Sequence, residues 1–266
     1  MKQTLGNLER KLFAYAQLRG LRTMRTRDLT RALSISKIQE SKLFSRLAKA
    51  GMIAQVRRGL YLVPQRLPMG GVWAPGEILA LNTLIGERKG RYQICGPNAF
   101  NRYGYDEQIP NRIYAYNNRM SGERIIGSVQ LTLIKVSDKR LGSTEETTTS
   151  DGEKGLYCSR VRTLLDGVYD WSRFGSLPRA YEWIRSDLKK KQVTARDLVE
   201  VTLKYGDTGT IRRIGYLLER ESVGLSLLRT LERALKPSAS FIPWIPSIPK
   251  RGTINRRWGV VDNERQ

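Results

Sequence analysis

Residues 36–64, SKIQESKLFSRLAKAGMIAQVRRGLYLVP, leave the chain few conformational choices. Ser36 and Gln39 have the S-x-x-Q spacing of a capping box, in which hydroxyl and amide satisfy each other's backbone N–H groups. The helix so opened is predicted over Lys37 to Ala50, burying Ile38, Leu43 and Leu47 with Phe44 beside them. Gly51 supplies the left-handed residue that ends such helices. Beyond it the apolar period switches to two. MIAQV and LYLVP are strand-prone, and Arg57-Arg58-Gly59 is a tight turn between them.

Upstream, Leu5, Leu8, Leu12, Tyr15 and Leu18 recur at threes and fours, which predicts a helix over 5–18. A short second helix carries Leu29 and Leu33, with Thr26 as its N-cap. Helix, helix, turn, helix, hairpin is the order of a winged helix-turn-helix. In that layout the third helix enters the major groove of DNA and the hairpin tip meets the backbone.

Charge agrees. The 266 residues hold 47 Lys+Arg against 25 Asp+Glu, a net of +22. Residues 1–66 alone hold 15 against 3, a net of +12. Such an excess attracts polyanions, nucleic acid first among them. Lys37, Gln39, Ser41, Lys42, Ser45 and Arg46 lie on the polar side of the third helix, where Gln can read adenine and Arg or Lys guanine or phosphate. Arg57 and Arg58 sit at the hairpin tip, and Arg25 and Arg27 flank the second helix, where backbone contacts are expected.

Residues 64–75, PQRLPMGGVWAP, hold three prolines and two adjacent glycines. They divide the chain into a domain at 1–66, a linker at 67–75 and a second domain at 76–266. The fold class is therefore α+β: a winged helix-turn-helix followed by a mixed α/β domain with strands early and helices late. Helices are expected at 76–88, 160–171, 176–190, 195–205, 209–220 and 224–235, with Ser176 and Thr194 as N-caps. Strands are expected near Tyr92, over NRIYAYNN, as one long run from Arg124 to Val136, and at GLYCS. Residues 137–155 read as a mobile loop. Residues 237–266 read as an extended tail that packs Phe241 and Trp244 on the core. Arg212, Arg213, Arg256 and Arg257 are candidates for a second phosphate-binding face.

The chain has no histidine, so no Ser-His-Asp triad, Cys-His dyad or His-ligated metal can be built. Cys95 and Cys158 are too few for a Cys-only zinc site or a disulfide scaffold, and suit a reducing cytoplasm. There is no P-loop and no G-x-S-x-G. Asp166 and Asp170, four apart in VRTLLDGVYDW, are the one carboxylate pair on a helix face, and a salt-bridged structural role competes with metal binding there. No apolar run reaches the ~20 residues of a membrane span, and MKQTLGNLERK has no apolar leader segment. A cytoplasmic protein that is not an enzyme, with no cofactor, no metal and no membrane partner, is the expectation.

Three further segments carry a resemblance: YQICGPNAFNRYGYDEQIP followed by RIYAYNN, VRTLLDGVYDWSRFGSLPRAYEWI, and RRIGYLLE followed by PKRGTINRRWGVVDN. With LFSRLAKAGMIAQVRRGLYLVP, they make the chain resemble the AbiEi family over nearly its whole length. That family comprises the antitoxins and transcriptional regulators of AbiE abortive-infection, type IV toxin–antitoxin systems. The resemblance implies a bacterial protein encoded beside a nucleotidyltransferase-like toxin. It implies that the N-terminal domain binds inverted repeats of double-stranded DNA in its own promoter and represses the operon. It also implies that the C-terminal domain counteracts the toxin during phage abortive infection without a stable toxin complex. Two alternatives remain open: a stand-alone winged-helix regulator of a mobile element, and a DNA-targeted, metal-dependent nuclease using Asp166 and Asp170.

Overall fold

The computed structural model describes residues 5–67 and 72–264. The chain divides into two compact units, each assembled from non-contiguous segments: Met1–Tyr92 with Asn111–Lys135 and Thr148–Gly155, and Gln93–Pro110 with Val136–Thr147 and Leu156–Gln266. The division expected at 67–75 is thus not where the units part, and positions 68–71 of that stretch lie outside the described residues.

In the first unit the chain runs α1 (Asn7–Leu18), β1 (Thr23–Arg25), α2 (Asp28–Ala32), α3 (Lys37–Lys49), β2 (Ala54–Arg57), β3 (Leu60–Leu62) and α4 (Glu77–Gly86). β3 lies between β1 and β2, antiparallel to both. Leu12, Ala16, Met24, Leu29, Leu43, Phe44 and Leu47 form one core. Phe44 stacks on Tyr61 with ring centroids 4.5 Å apart, which pins α3 to β3. The capping box is present: Gln39 N–H donates to Ser36 Oγ (3.2 Å) and Ser36 N–H to Gln39 Oε1 (2.8 Å). Gly51, at φ +67°, ends α3, with Met52 N–H on Leu47 O (2.9 Å) and Gly51 N–H on Ala48 O (3.1 Å). That is the Schellman pattern.

Two expectations in this region are corrected. Ile38 is 68% exposed, and Glu40 takes the inward position, 1% exposed. Thr26 does not cap α2. Arg27 occupies the N-cap position, at φ +85° and with no capping bond from its side chain, and the buried Glu40 carboxylate accepts the N–H groups of Arg27 (2.7 Å) and Leu29 (2.8 Å). A carboxylate from the next helix thus satisfies donors that a local hydroxyl was expected to serve. Thr26 instead packs on the hairpin turn, its N–H donating to Gly59 O at 3.1 Å.

The segment 111–135 supplies β5 (Ile113–Asn117), β6 (Gly122–Ile126) and β7 (Val129–Lys135), in the order β6-β7-β5, with β4 (Tyr92–Ile94) and α5 (Pro97–Arg102) preceding them in the chain. The single strand expected from Arg124 to Val136 is a hairpin. It folds at Gly127-Ser128, with Ile126 paired to Val129. Gly127 has φ +61°, and a Cβ there would lie 3.0 Å from Pro75 and 3.1 Å from Ala54, so any other residue would be strained in the turn and crowd its neighbours.

In the second unit β4 pairs in parallel with β9 (Lys154–Cys158), and β8 (Thr144–Thr148) flanks β9. The loop expected at 137–155 is therefore mostly ordered: a 3₁₀ turn at Asp138–Arg140, then β8 and the start of β9. The run of threonines is β-branched and suits an exposed strand, which its polarity concealed. The helices α6 (Arg160–Tyr169), α7 (Trp171–Phe174), α8 (Arg179–Lys189), α9 (Ala195–Tyr205), α10 (Thr208–Arg220) and α11 (Leu225–Arg233) build the larger core. Thr194 caps α9 with Asp197 as expected. Ser176 caps nothing; its hydroxyl donates to Gly167 O (2.5 Å) and Pro178 precedes α8.

The tail is structured as well. β10 (Ile242–Pro243), β11 (Thr253–Asn255) and β12 (Val260–Asp262) form a sheet of order β10-β12-β11. Trp244 and Trp258 are fully buried, and Trp244 stacks on Tyr181 at 3.7 Å. A Cβ on Gly215 of α10 would come within 2.2 Å of the Trp258 ring, so this glycine makes room for the indole. Strands therefore occur throughout the chain rather than early, and the fold is mixed α+β. Among the described residues no helix is long and apolar enough to cross a membrane.

Candidate nucleic-acid interface

At 100° per residue, the buried arc of α3 (Glu40, Leu43, Phe44, Leu47) fixes which side chains face outward. Ile38, Lys42, Ser45 and Lys49 stand opposite it, with Lys37 and Ser41 on one flank and Gln39 and Arg46 on the other. All of these are exposed. The one carboxylate of the helix, Glu40, is turned inward, so the outward surface carries no acid of its own.

Two of the expected contacts are partly committed. Gln39 gives its carbonyl to the capping box, so bidentate reading of adenine would require opening the cap. Arg46 Nε donates to Glu9 Oε1 at 2.8 Å while the Arg46 side chain stays 61% exposed. Ile38 was missed because its spacing fits the buried face. Exposed beside Lys42, it is suited to a thymine methyl.

The hairpin turn presents Arg57 and Arg58, both exposed. Arg25 from β1 and Arg57 from β2 converge on one carboxylate, Glu87, the C-cap of α4. Arg57 Nη2 lies 2.7 Å from Oε2, and Arg25 donates to both oxygens. The two guanidinium groups hold the Glu87 carboxyl below its ordinary range by donating hydrogen bonds, Arg57 most strongly. Both arginines keep about half of their side-chain surface open, at 55% and 50%.

Arg27 lies in a groove of about 780 Å³ with Tyr15, Arg19, Arg31 and Lys37. Asp28 is the acid in its lining. Arg19 and Arg31 were not singled out in the sequence, since nothing local separates them from solvated charge. Only the approach of α1, α2 and the start of α3 puts them beside Lys37.

The four arginines expected to form a second phosphate-binding face are not presented together at the surface. Arg212 and Arg213 are buried, at 6% and 8% exposure, and donate to the carbonyls of Ser240 (3.0 Å) and Pro243 (3.3 Å). Their long apolar stems allow this, and both heads tie α10 to the tail. Arg257 pairs with Glu219 (2.7 Å) and Glu232 (3.1 Å); Arg256 alone is exposed.

Asp166 is removed from surface chemistry. It is fully buried and receives Arg162 Nε (2.9 Å) and Arg140 Nη2 (3.2 Å), with Cys158 Sγ at 3.4 Å. Burial pushes the Cys158 thiol up, and the Asp166 charge adds to that. Asp170 lies 3.8 Å from Arg173. Among the described residues no group of three or more His, Cys, Asp or Glu could hold a metal ion.

No protein-family model matches the chain, and no curated protein matches it. Among solved structures, the crystal structure of the RV2827C protein from Mycobacterium tuberculosis is similar. The TM-score is 0.62 at 13% identity, over 98% of this chain and 93% of that one. At that identity the likeness speaks for the fold alone, a mixed α+β arrangement shared along nearly the full length of both chains.

Proposed function

We propose that the first unit is a winged helix-turn-helix that binds double-stranded DNA, and that the chain is a sequence-specific transcriptional regulator. The reading places α3 in the major groove and the Arg57-Arg58 turn on the backbone. One observation carries it: α3 turns its single carboxylate inward and presents Lys37, Ser41, Lys42, Ser45, Arg46 and Lys49 outward. Direct readout falls to Lys42, Arg46 and Ile38, and phosphate contact to Arg27, Arg31 and Arg58.

The test is a salt titration of binding to DNA upstream of the protein's own gene, with a scrambled duplex of equal length as competitor. A specificity ratio above ~10³ supports a sequence-reading regulator. A ratio near one with a steep salt slope refutes it.

The antitoxin role is part of the proposal and is supported by the AbiEi resemblance. Its test is co-expression with a neighbouring nucleotidyltransferase-like gene, and growth rescued by this chain is the expected result. Absence of such a neighbour favours a stand-alone regulator. The nuclease reading loses its motive, because Asp166 is buried between two arginines.

A further inference from the structure

The second unit holds a buried cation that no acid among the described residues pairs with. Arg212 is 6% exposed, yet among the described residues its one hydrogen-bond partner is a carbonyl, Ser240 O at 3.0 Å. A buried guanidinium without an anion is costly, and such groups are ordinarily paired. Its plane lies against Gly259, where φ is +63° and an added Cβ would sit 3.3 Å from Arg212 Cζ. Backbone thus takes the place where a side chain would cover the charge.

Arg212 lines a cleft of about 370 Å³ together with Lys236, Arg256, Arg257 and a single acid, Glu232. Arg257 is already shared between Glu219 and Glu232. Lys236 and Arg256 are exposed and form no ion pair among the described residues. Three unmatched cations, one of them buried and fixed in orientation, therefore converge on one small polar cleft.

We propose that this cleft binds a phosphate group. The Arg212 guanidinium supplies a planar donor fork, and Lys236 as a point charge and Arg256 as a second fork close over the remaining oxygens. The phosphate is either free, as inorganic phosphate or a nucleotide, or belongs to a DNA backbone. This site lies outside the α3 interface and does not rest on the reading of that interface.

The experiment uses the full chain in phosphate-free buffer at fixed ionic strength. Inorganic phosphate is titrated by calorimetry and by thermal shift, then 5′-AMP against adenosine, then a duplex. A saturable single-site phosphate titration is expected. Lys236→Ala and Arg256→Ala should each weaken it about tenfold, as loss of a charge-assisted hydrogen bond does. Both residues are exposed, so these variants keep the test valid if Arg212→Gln fails to fold. Lys189→Ala with Lys190→Ala, on another exposed basic run, should leave the titration unchanged.

Competition by 5′-AMP but not adenosine identifies a small phosphate ligand. A duplex affinity lowered by Lys236→Ala and Arg256→Ala, with a phosphate titration that does not saturate, identifies a DNA phosphate. The proposal is overturned if the phosphate titration does not saturate and duplex binding ignores both variants. It is equally overturned if the Lys189/Lys190 variant weakens phosphate as much as they do. Lys42→Ala, which tests the α3 interface, should leave the phosphate titration intact, so the two ideas fail separately.

Discussion

On the proposed reading of the first unit as a DNA binder, Glu87 sets the cost of turning Arg25 and Arg57 to a phosphate, and Glu87→Gln measures it. Both arginines must exchange a carboxylate for a phosphate. The pairs are half open on the arginine side, while Glu87 is only 16% exposed. Such exposed pairs are each worth ~0.2–1 kcal/mol. Glu87→Gln removes both and withdraws a negative charge beside the hairpin, so duplex affinity should rise by about 1 kcal/mol, roughly fivefold. The salt slope should steepen by about one as a freed arginine engages phosphate fully. The folded protein should lose about as much stability as the duplex complex gains. The sign follows from the carboxyl being held below its ordinary 4.5: the clamp is fully present above that value and is lost as pH falls through the lower folded value. At neutral pH the clamp is closed, and the variant opens it. Fluorescence anisotropy on a labelled duplex between 50 and 200 mM salt reads the result. Weaker binding would refute the reasoning and make Glu87 a residue that aims the arginines at DNA.

Other substitutions separate reading from support. Lys42→Ala should weaken the preferred duplex by ~1–3 kcal/mol if it reads a base, and Arg58→Ala should weaken all duplexes alike; competition anisotropy distinguishes the two. Ser36→Ala should cost ~1 kcal/mol in urea unfolding by removing half of the capping box, with duplex specificity kept. Glu40→Ala should cost more, ~2–4 kcal/mol, because the buried N–H of Leu29 and the part-buried N–H of Arg27 lose a charged acceptor; the midpoint of urea unfolding of the first unit reads it. Gly215→Ala should destabilise the second unit by ~1–3 kcal/mol or more through overlap with Trp258, seen as loss of near-UV signal from a buried indole on heating.

What the sequence made legible were elements closed by their own neighbours. The α3 capping box, the Gly51 terminus, the Arg57-Arg58-Gly59 turn and α9 behind Thr194 stand where spacing put them. Features that depend on distant partners were not legible. Ile38 has the spacing of a core residue, but the partner of its turn is Glu40, drawn inward by backbone donors eleven and thirteen residues away. The strand from Arg124 to Val136 alternates well enough to look continuous until Gly127 is seen to fold it on itself. Arg212 and Arg213 read as surface because arginine pairs usually are. Their burial follows from carbonyls 28 and 30 residues downstream. At the interface, the charges of α3 were readable from sequence, whereas the Glu87 clamp and the groove around Arg27 exist only once α1, α2 and α4 are in place.

The buried tryptophans of the tail have a consequence for the order in which the protein is made. The first unit has its last segment by Gly155, about a hundred residues before Val261. The second unit cannot fill its centre until Trp244 and Trp258 have left the ribosome, although its first strand was synthesised much earlier. The half that would hold DNA can therefore be competent while the other half still awaits its final residues. Any interruption of synthesis near the end would release a chain that has every segment of its first unit but lacks a finished second unit.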